Sequence, residues 1–281
     1  MGNPIGWCDI TINPVVGCSH CSPGCKNCYA ERFAARLAKN PFTAKKYAGV
    51  VDENGKWTGA VRYNFFWYEK LPKTPKKIFL NSMSDIFHPA VSEDVLYEII
   101  DSIINIGSQH TFFVLTKRPE RIKKVLTNTT IPQNLWLGTT VCNQSEADAK
   151  IPLLLQIQEE KNFVSIEPML EPIDVTRYSH SLKWVICGGE TGPGARPMHS
   201  DWARSLRDQC IAAGTPFFFK KMGNQKTAPK DLLIREVPNE LETLPRDGEC
   251  AENGWPCVAC FREWAKQETQ EEKNDGQENG N

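Results

Sequence analysis

A short β-branched or aromatic run that stops at polar or glycine residues and gives way to an amphipathic stretch recurs along this 281-residue chain. That βα alternation restricts the fold more than any other feature. The predicted strands are Lys77 to Ser82, Thr111 to Thr116, Leu135 to Thr140, Asn162 to Ile166, Trp184 to Cys187 and Thr215 to Phe219, with a weaker first strand within Asp9 to Val16. Between them, Ser92 caps a helix with Glu93 and Asp94 in its first turn and Leu96, Ile99, Ile100, Ile103 and Ile104 on one stripe. Ser200, followed by Trp202, Leu206 and Cys210, repeats the pattern. Right-handed βαβ crossovers bury both faces of a parallel sheet, so the expected class is α/β, a full or partial (β/α) barrel. An open doubly wound sheet is the alternative.

Residues 1–223 are the expected barrel, with an inserted loop at about 39–64 whose Asp52-Glu-Asn-Gly-Lys turn marks a hairpin and which can act as a lid. Residues 224–266 are the expected C-terminal extension, which carries a second cysteine group. Residues 267–281, almost only Gln, Glu, Asn, Asp, Lys, Thr and Gly, are expected to be a disordered tail. The net charge of −1 gives no general pull toward nucleic acid or anionic membrane, so such a partner needs a local basic patch. No window approaches the roughly 20 apolar residues of a membrane helix, and no leader is evident, so no membrane partner and a cytoplasmic location are expected.

Eleven cysteines in a chain of this length point to metal or catalysis rather than a disulfide scaffold. Four lie together: Cys18, Cys21, Cys25 and Cys28, in a loop that runs into a helix at Tyr29. Thiolates bind iron–sulfur clusters, zinc or copper. As a zinc site, the pairs Cys18-x2-Cys21 and Cys25-x2-Cys28 are cramped, three residues apart where ribbons commonly use about 12 to 20. Cys8, Cys142, Cys187 and Cys210 read as isolated, small buried residues.

Cys21-x3-Cys25-x2-Cys28 resembles the signature of the radical S-adenosylmethionine superfamily. The resemblance implies a [4Fe–4S] cluster on three thiolates, with S-adenosylmethionine on the open iron. It further implies an external electron donor and a 5′-deoxyadenosyl radical that abstracts hydrogen from an unidentified substrate. The residue before the last cysteine, aromatic in most of that superfamily, is Asn27, and Tyr29 follows.

At finer grain, Trp7-Cys8-Asp9, Ser22 to Glu31, Ser82 to His88, Leu115 to Pro119, Ser165 to Pro168 and Gly188 to Pro197 resemble a phage-associated family named after gene products thirty-seven and sixty-eight. That likeness spans about Trp7 to Gly223 and adds a three-Cys-motif partner protein as an expected partner. Its pattern nominates Cys18 as first ligand where the superfamily spacing nominates Cys21; Cys25 and Cys28 serve in both.

Barrel chemistry sits at the C-terminal strand ends. Those ends carry Asn81, Ser82, Ser84 and Asp85; Thr116, Lys117 and Arg118; Thr139 and Thr140; Ser165 and Glu167; Gly188, Gly189 and Glu190; and Lys220 and Lys221. Gly188-Gly189-Glu190 resembles the superfamily's GGE motif, so Ser82, Ser84, Asp85, Gly188, Gly189 and Glu190 are the expected cofactor-binding residues, with Asp85 favoured over His88. Lys117, Arg118, Arg196, Lys220 and Lys221 are an expected anion site for a carboxylate, phosphate or nucleic acid backbone.

Cys250-x6-Cys257-x2-Cys260 repeats the spacing of Cys18, Cys25 and Cys28, which points to a second cluster or zinc site, with an unliganded reduced set as the alternative. Two rivals remain. One is a nucleic-acid repair or modification enzyme, by loose likeness to spore photoproduct lyase; the other is a non-catalytic binding protein stapled by metal.

Overall fold

The structure, a computed structural model, describes residues 5–126, 130–225 and 227–242. The chain divides into two units, Met1–Leu71 with Lys76–Pro238, and Pro72–Pro75 with Asn239–Asn281. The second cysteine group and the expected tail lie outside the described residues.

After β1 (Ile10–Ile12), β2 (Val15–Val16) leaves the main sheet and pairs antiparallel with β3 (Arg62–Tyr63). The strands β4 (Lys77–Leu80), β5 (Thr111–Thr116), β6 (Leu135–Thr140), β7 (Asn162–Ile166), β8 (Val185–Gly188) and β9 (Phe217–Lys221) complete a parallel sheet with β1. Its seven strands run in chain order, β1-β4-β5-β6-β7-β8-β9. The helices are α1 (Tyr29–Lys39), α2 (Ala44–Tyr47), α3 (Glu93–Asn105), α4 (Pro119–Leu126), α5 (Gln144–Leu155), α6 (Thr176–Ser179) and α7 (Ser200–Ala213).

Chain-order pairing through crossovers of one hand stacks the helices on one face, and the sheet curls into a half-barrel. A doubly wound sheet, which reverses its strand order, is thereby excluded.

Alternate strand residues separate the two faces. Ile78, Leu80, Phe112, Val114, Leu135, Leu137, Val164, Ile166, Val185 and Phe217 join the core formed with Leu96, Ile99, Ile103, Ile122, Ile151, Leu154 and Leu206 of the helices. Their neighbours Phe79, Phe113, Trp136, Phe163 and Phe218 line the other face. Trp7 enters from the N-terminus and packs at 5.0 Å on Phe79, 5.5 Å on Phe113, 6.0 Å on Phe163 and 5.9 Å on Trp184. An aromatic floor therefore closes the concave side.

Gly138 makes that floor fit: a Cβ there would lie 2.6 Å from ring atoms of Phe163, itself fully buried. Gly138→Ala is expected to destabilise the fold by about 1–3 kcal/mol through overpacking, lowering the thermal midpoint by several degrees. An unchanged midpoint in thermal unfolding would show that the ring has room to move.

Several expectations need adjustment. The first strand is two, because the chain turns at Asn13-Pro14: Asn13 Oδ1 accepts from Met83 N (2.9 Å) and Pro14 O accepts from Asn64 N (2.8 Å). The last strand starts two residues late, after Pro216, whose carbonyl accepts from Val185 N while Thr215 Oγ1 donates to Ser179 O (2.7 Å). Ser92 caps α3 as expected, but Ile104 drifts off its buried stripe and is 44% exposed. The cap position of α7 falls to His199 rather than Ser200.

In the inserted segment, Asp52 N donates to Lys56 O (2.8 Å) and Gly55 takes φ +75°, which forms the turn. Tyr47 and Val50 then pack with Ala30 and Ala34, so the insertion supports α1.

Candidate functional site

The four clustered cysteines follow β2 and lead into α1. Ser22 caps a 3₁₀ turn over Pro23–Cys25, its Oγ accepting from Gly24 N (3.1 Å), and Cys28 is the N-cap residue of α1. Gly24 packs on Pro168 and Cys142, where an added Cβ would lie 3.3 Å from Pro168. The loop is thus seated on the loops that leave β6 and β7.

Its thiols interact in pairs. Cys21 and Cys25 share a hydrogen bond, and Cys18 lies near enough to Cys28 for their charges to be felt. The hydrogen bond between Cys21 and Cys25 lowers the Cys25 thiol, with burial opposing and the Lys117 ammonium aiding, and raises Cys21 in return. Burial pushes Cys18 up to about 11, with Asp85 adding to it and Arg118 opposing. Lys117 is held above its ordinary value: burial acts against its charge, but Cys25, Cys28, Asp85 and Cys21 outweigh it.

Soft donors with a neighbouring cation suit an anionic thiolate cluster. Among the described residues, however, no three His, Cys, Asp or Glu side chains are gathered closely enough to hold a metal ion. The residues fit by donor chemistry, not as a preassembled cage.

Asp85 is a buried hub behind this loop. Its carboxylate accepts from Phe87 N (3.0 Å), Thr116 Oγ1 (2.7 Å), Lys117 N (3.1 Å) and Arg118 Nη1 (3.0 Å). Arg118 Nη2 in turn donates to Ser19 O (3.0 Å) and Ser19 Oγ (3.1 Å). His88 Nδ1 accepts from Ala90 N (3.1 Å), which leaves the proton on Nε2, 2.7 Å from Ser19 Oγ. Burial, with the Arg118 charge, lowers the His88 pKa and favours that neutral ring. The strand ends after β4 and β5 therefore fix the residue next to Cys18.

The family model described as "Protein of unknown function (DUF5131)" matches residues 2–279. The chain belongs to that family. No curated protein matches this DUF5131 sequence. A point mutant of spore photoproduct lyase is similar to it in chain path, with a TM-score of 0.41 at 10% identity over 76% of this chain and 75% of that one. So is spore photoproduct lyase complexed with dinucleoside spore photoproduct, with a TM-score of 0.39 at 10% identity over 73% and 74%.

On the opposite flank of the DUF5131 loop, the buried Glu190 holds the cysteine segment as Asp85 does. Its Oε2 accepts from Asn27 Nδ2 (2.8 Å), Arg196 N (2.8 Å) and Arg196 Nε (2.9 Å), while Arg196 Nη2 reaches Pro23 O (3.1 Å). Asn27, in the usually aromatic position, also donates to Gly194 O (2.7 Å).

Burial alone would raise the Glu190 pKa, but the two Arg196 contacts and Asn27 outweigh it and bring the carboxyl to about 2. A depressed carboxylate stabilises the fold above its unfolded value of about 4.3 and loses that contribution as pH falls toward the folded value. Wild type is therefore expected to lose stability between about pH 4.3 and pH 2 more steeply than Glu190→Gln, by chemical denaturation at stepped pH. Parallel profiles would contradict the assignment.

A third support is Glu31, buried in α1, which pairs with His20 Nε2 (3.1 Å) and Lys56 Nζ (3.1 Å) and accepts from Trp57 N (3.0 Å). Cys142 donates to Glu146 Oε2 (2.9 Å), and Cys8, Cys187 and Cys210 are buried, as expected.

Of the expected cofactor residues, Ser82 Oγ donates to Asn13 Oδ1 (3.2 Å) and Ser84 Oγ to Val15 O (2.9 Å). Gly188 keeps its strand end bare, since a Cβ would meet Glu167 Oε1 at 2.7 Å, and a Cβ on Gly189 would come as close to Gly223 N. Of the expected anion site, Arg118 is paired with Asp85, Arg196 with Glu190, and Lys220 with Glu167 (3.1 Å). Lys117 faces the thiols and Lys221 is exposed. The five do not converge as unpaired cations.

Sequence reasoning missed the supporting roles of Asn27, Glu31 and His88. A hollow of about 640 Å³ beside α6 and α7, lined by Thr176, His180, Asp201 and Arg204, lies away from the cysteine loop and has no part in the site. Among the described residues, no helix is long and apolar enough to cross a membrane.

Proposed function

We propose that this chain is a radical S-adenosylmethionine enzyme whose cluster ligands are Cys25, Cys28 and one of Cys18 or Cys21. The observation that carries the reading is the braced cysteine loop itself: thiols at the end of a parallel half-barrel, fixed by Asp85–Arg118 on one side and Glu190–Arg196 on the other. When bound, such a cluster supplies the electron that cleaves the sulfonium. The chain's own residues position the thiols and balance their charge through Lys117 and Arg118.

Asp85 and Glu190 act here as positioning residues, because their oxygens already accept several donors each. Gly188, Gly189, Ser82 and Ser84 present the strand-end surface beside which the cofactor would lie. Glu167 and Lys220, paired on the side of the sheet opposite the helical core, face what enters the mouth.

Separate Cys18→Ala and Cys21→Ala variants test the ligand register by iron content after anaerobic reconstitution. Loss in one alone identifies the third ligand, and equal partial losses mean that the two substitute for each other. Full loading in both would remove the assignment of either.

A further inference from the structure

The cations first expected to receive an anion are mostly paired, and the free positive charge lies elsewhere. Residues 26–70 hold nine Lys and Arg against four Asp and Glu, a net of +5 in a chain of net −1, so the remainder carries −6. One of the four acids, Glu31, is buried against His20 and Lys56. The same segment contains the exposed rings Tyr29, Phe33, Phe42, Phe65 and Phe66. Phe42 is 96% exposed, and among the described residues only Tyr97 of the exposed aromatics lies outside the segment.

Contacts within the segment tie α2 to β3 and to the residues that follow it. Lys46 feels the charge of Lys70, Arg62 Nε donates to Ala48 O (2.6 Å) at the end of α2, and Phe65 packs on Tyr63 of β3 (4.6 Å). The Arg36 guanidinium sits 4.9 Å over the Phe33 ring. Tyr29 and Phe33, four residues apart on α1, carry the surface up to Cys28.

We propose that the α1–α2–β3 face is a platform for single-stranded nucleic acid, with Phe42, Phe65 and Phe66 stacking on bases and Lys45, Arg62 and Lys70 contacting phosphates. Cations that track a backbone, interleaved with rings that accept unstacked bases, are the chemistry such strands require. A duplex hides its base faces from protruding rings. A membrane or protein partner is disfavoured because the exposed aliphatic residues Ile104, Ile106, Ile211 and Leu233 lie outside this segment. The inference does not require the cluster, although the platform would lead a bound strand to the cysteine loop.

The test is fluorescence anisotropy of the full-length protein, with and without iron, against a labelled oligodeoxythymidine and a hairpin duplex. The expected result is preference for the single strand, affinity falling steeply with salt, and at least about a fivefold loss for each of Phe42→Ala, Phe65→Ala and Phe66→Ala. Lys45→Gln and Lys70→Gln should flatten the salt slope, and Phe65→Trp should keep affinity. These side chains are exposed, so unchanged thermal midpoints separate lost binding from lost folding. Absent binding, duplex preference, indifference to ring removal, or capture by phosphatidylserine vesicles instead of the oligonucleotide would each overturn the proposal. Because binding is read in both iron states, its failure leaves the enzyme reading untouched, and failure of cofactor cleavage leaves this one untouched.

Discussion

Cys28→Ala is expected to leave the protein folded and to abolish iron loading on anaerobic reconstitution of the N-terminal site. Cys28 is only half-buried at the N-cap of α1 and makes no side-chain capping bond, so its removal costs the helix little. Its thiol nevertheless belongs to both ligand sets that the spacing allows, and without it each set keeps only two thiolates, too few for a cluster with one open iron. Iron and sulfide analysis beside an unchanged circular dichroism spectrum checks this. Full loading in the variant would remove the cluster from this loop.

Asp85→Ala should give the largest loss of stability. The pair with Arg118 is 8% exposed on each side, so the variant leaves a buried guanidinium without its carboxylate and strands the donors of Thr116 and Lys117. Breaking a buried pair by removing one partner costs about 3–5 kcal/mol, roughly 10 °C in thermal midpoint for a domain of this size. Ser19 would lose the Arg118 anchor, so loading should fall with stability. Replacing both partners, as Asp85→Leu with Arg118→Met, should recover part of the midpoint but not the loading. A midpoint within a degree of wild type in the single variant would refute the hub.

The strands could be read because each places alternate large residues on two buried faces, which leaves a continuous apolar run in the sequence. The cysteine loop could be read because its four thiols are neighbours in the chain. What could not be read is its bracing. Asn27 meets Glu190 across 163 residues and Ser19 meets Arg118 across 99, separations that leave no local signature. For the same reason the basic residues at the strand ends looked like a free anion site, when three of them serve carboxylates fixed only by the fold. Pro14 is a different case: its place within an apolar run was visible, and its inability to donate a ladder hydrogen bond marks where the first strand breaks in two.

The most direct measurement is S-adenosylmethionine cleavage by the full-length protein, reconstituted anaerobically with iron and sulfide and reduced with dithionite, beside Cys28→Ala. The account predicts a brown protein that releases 5′-deoxyadenosine and methionine, and a variant that does neither at the N-terminal site. A colourless protein with stoichiometric zinc and no cleavage would contradict it and leave the loop as a metal staple.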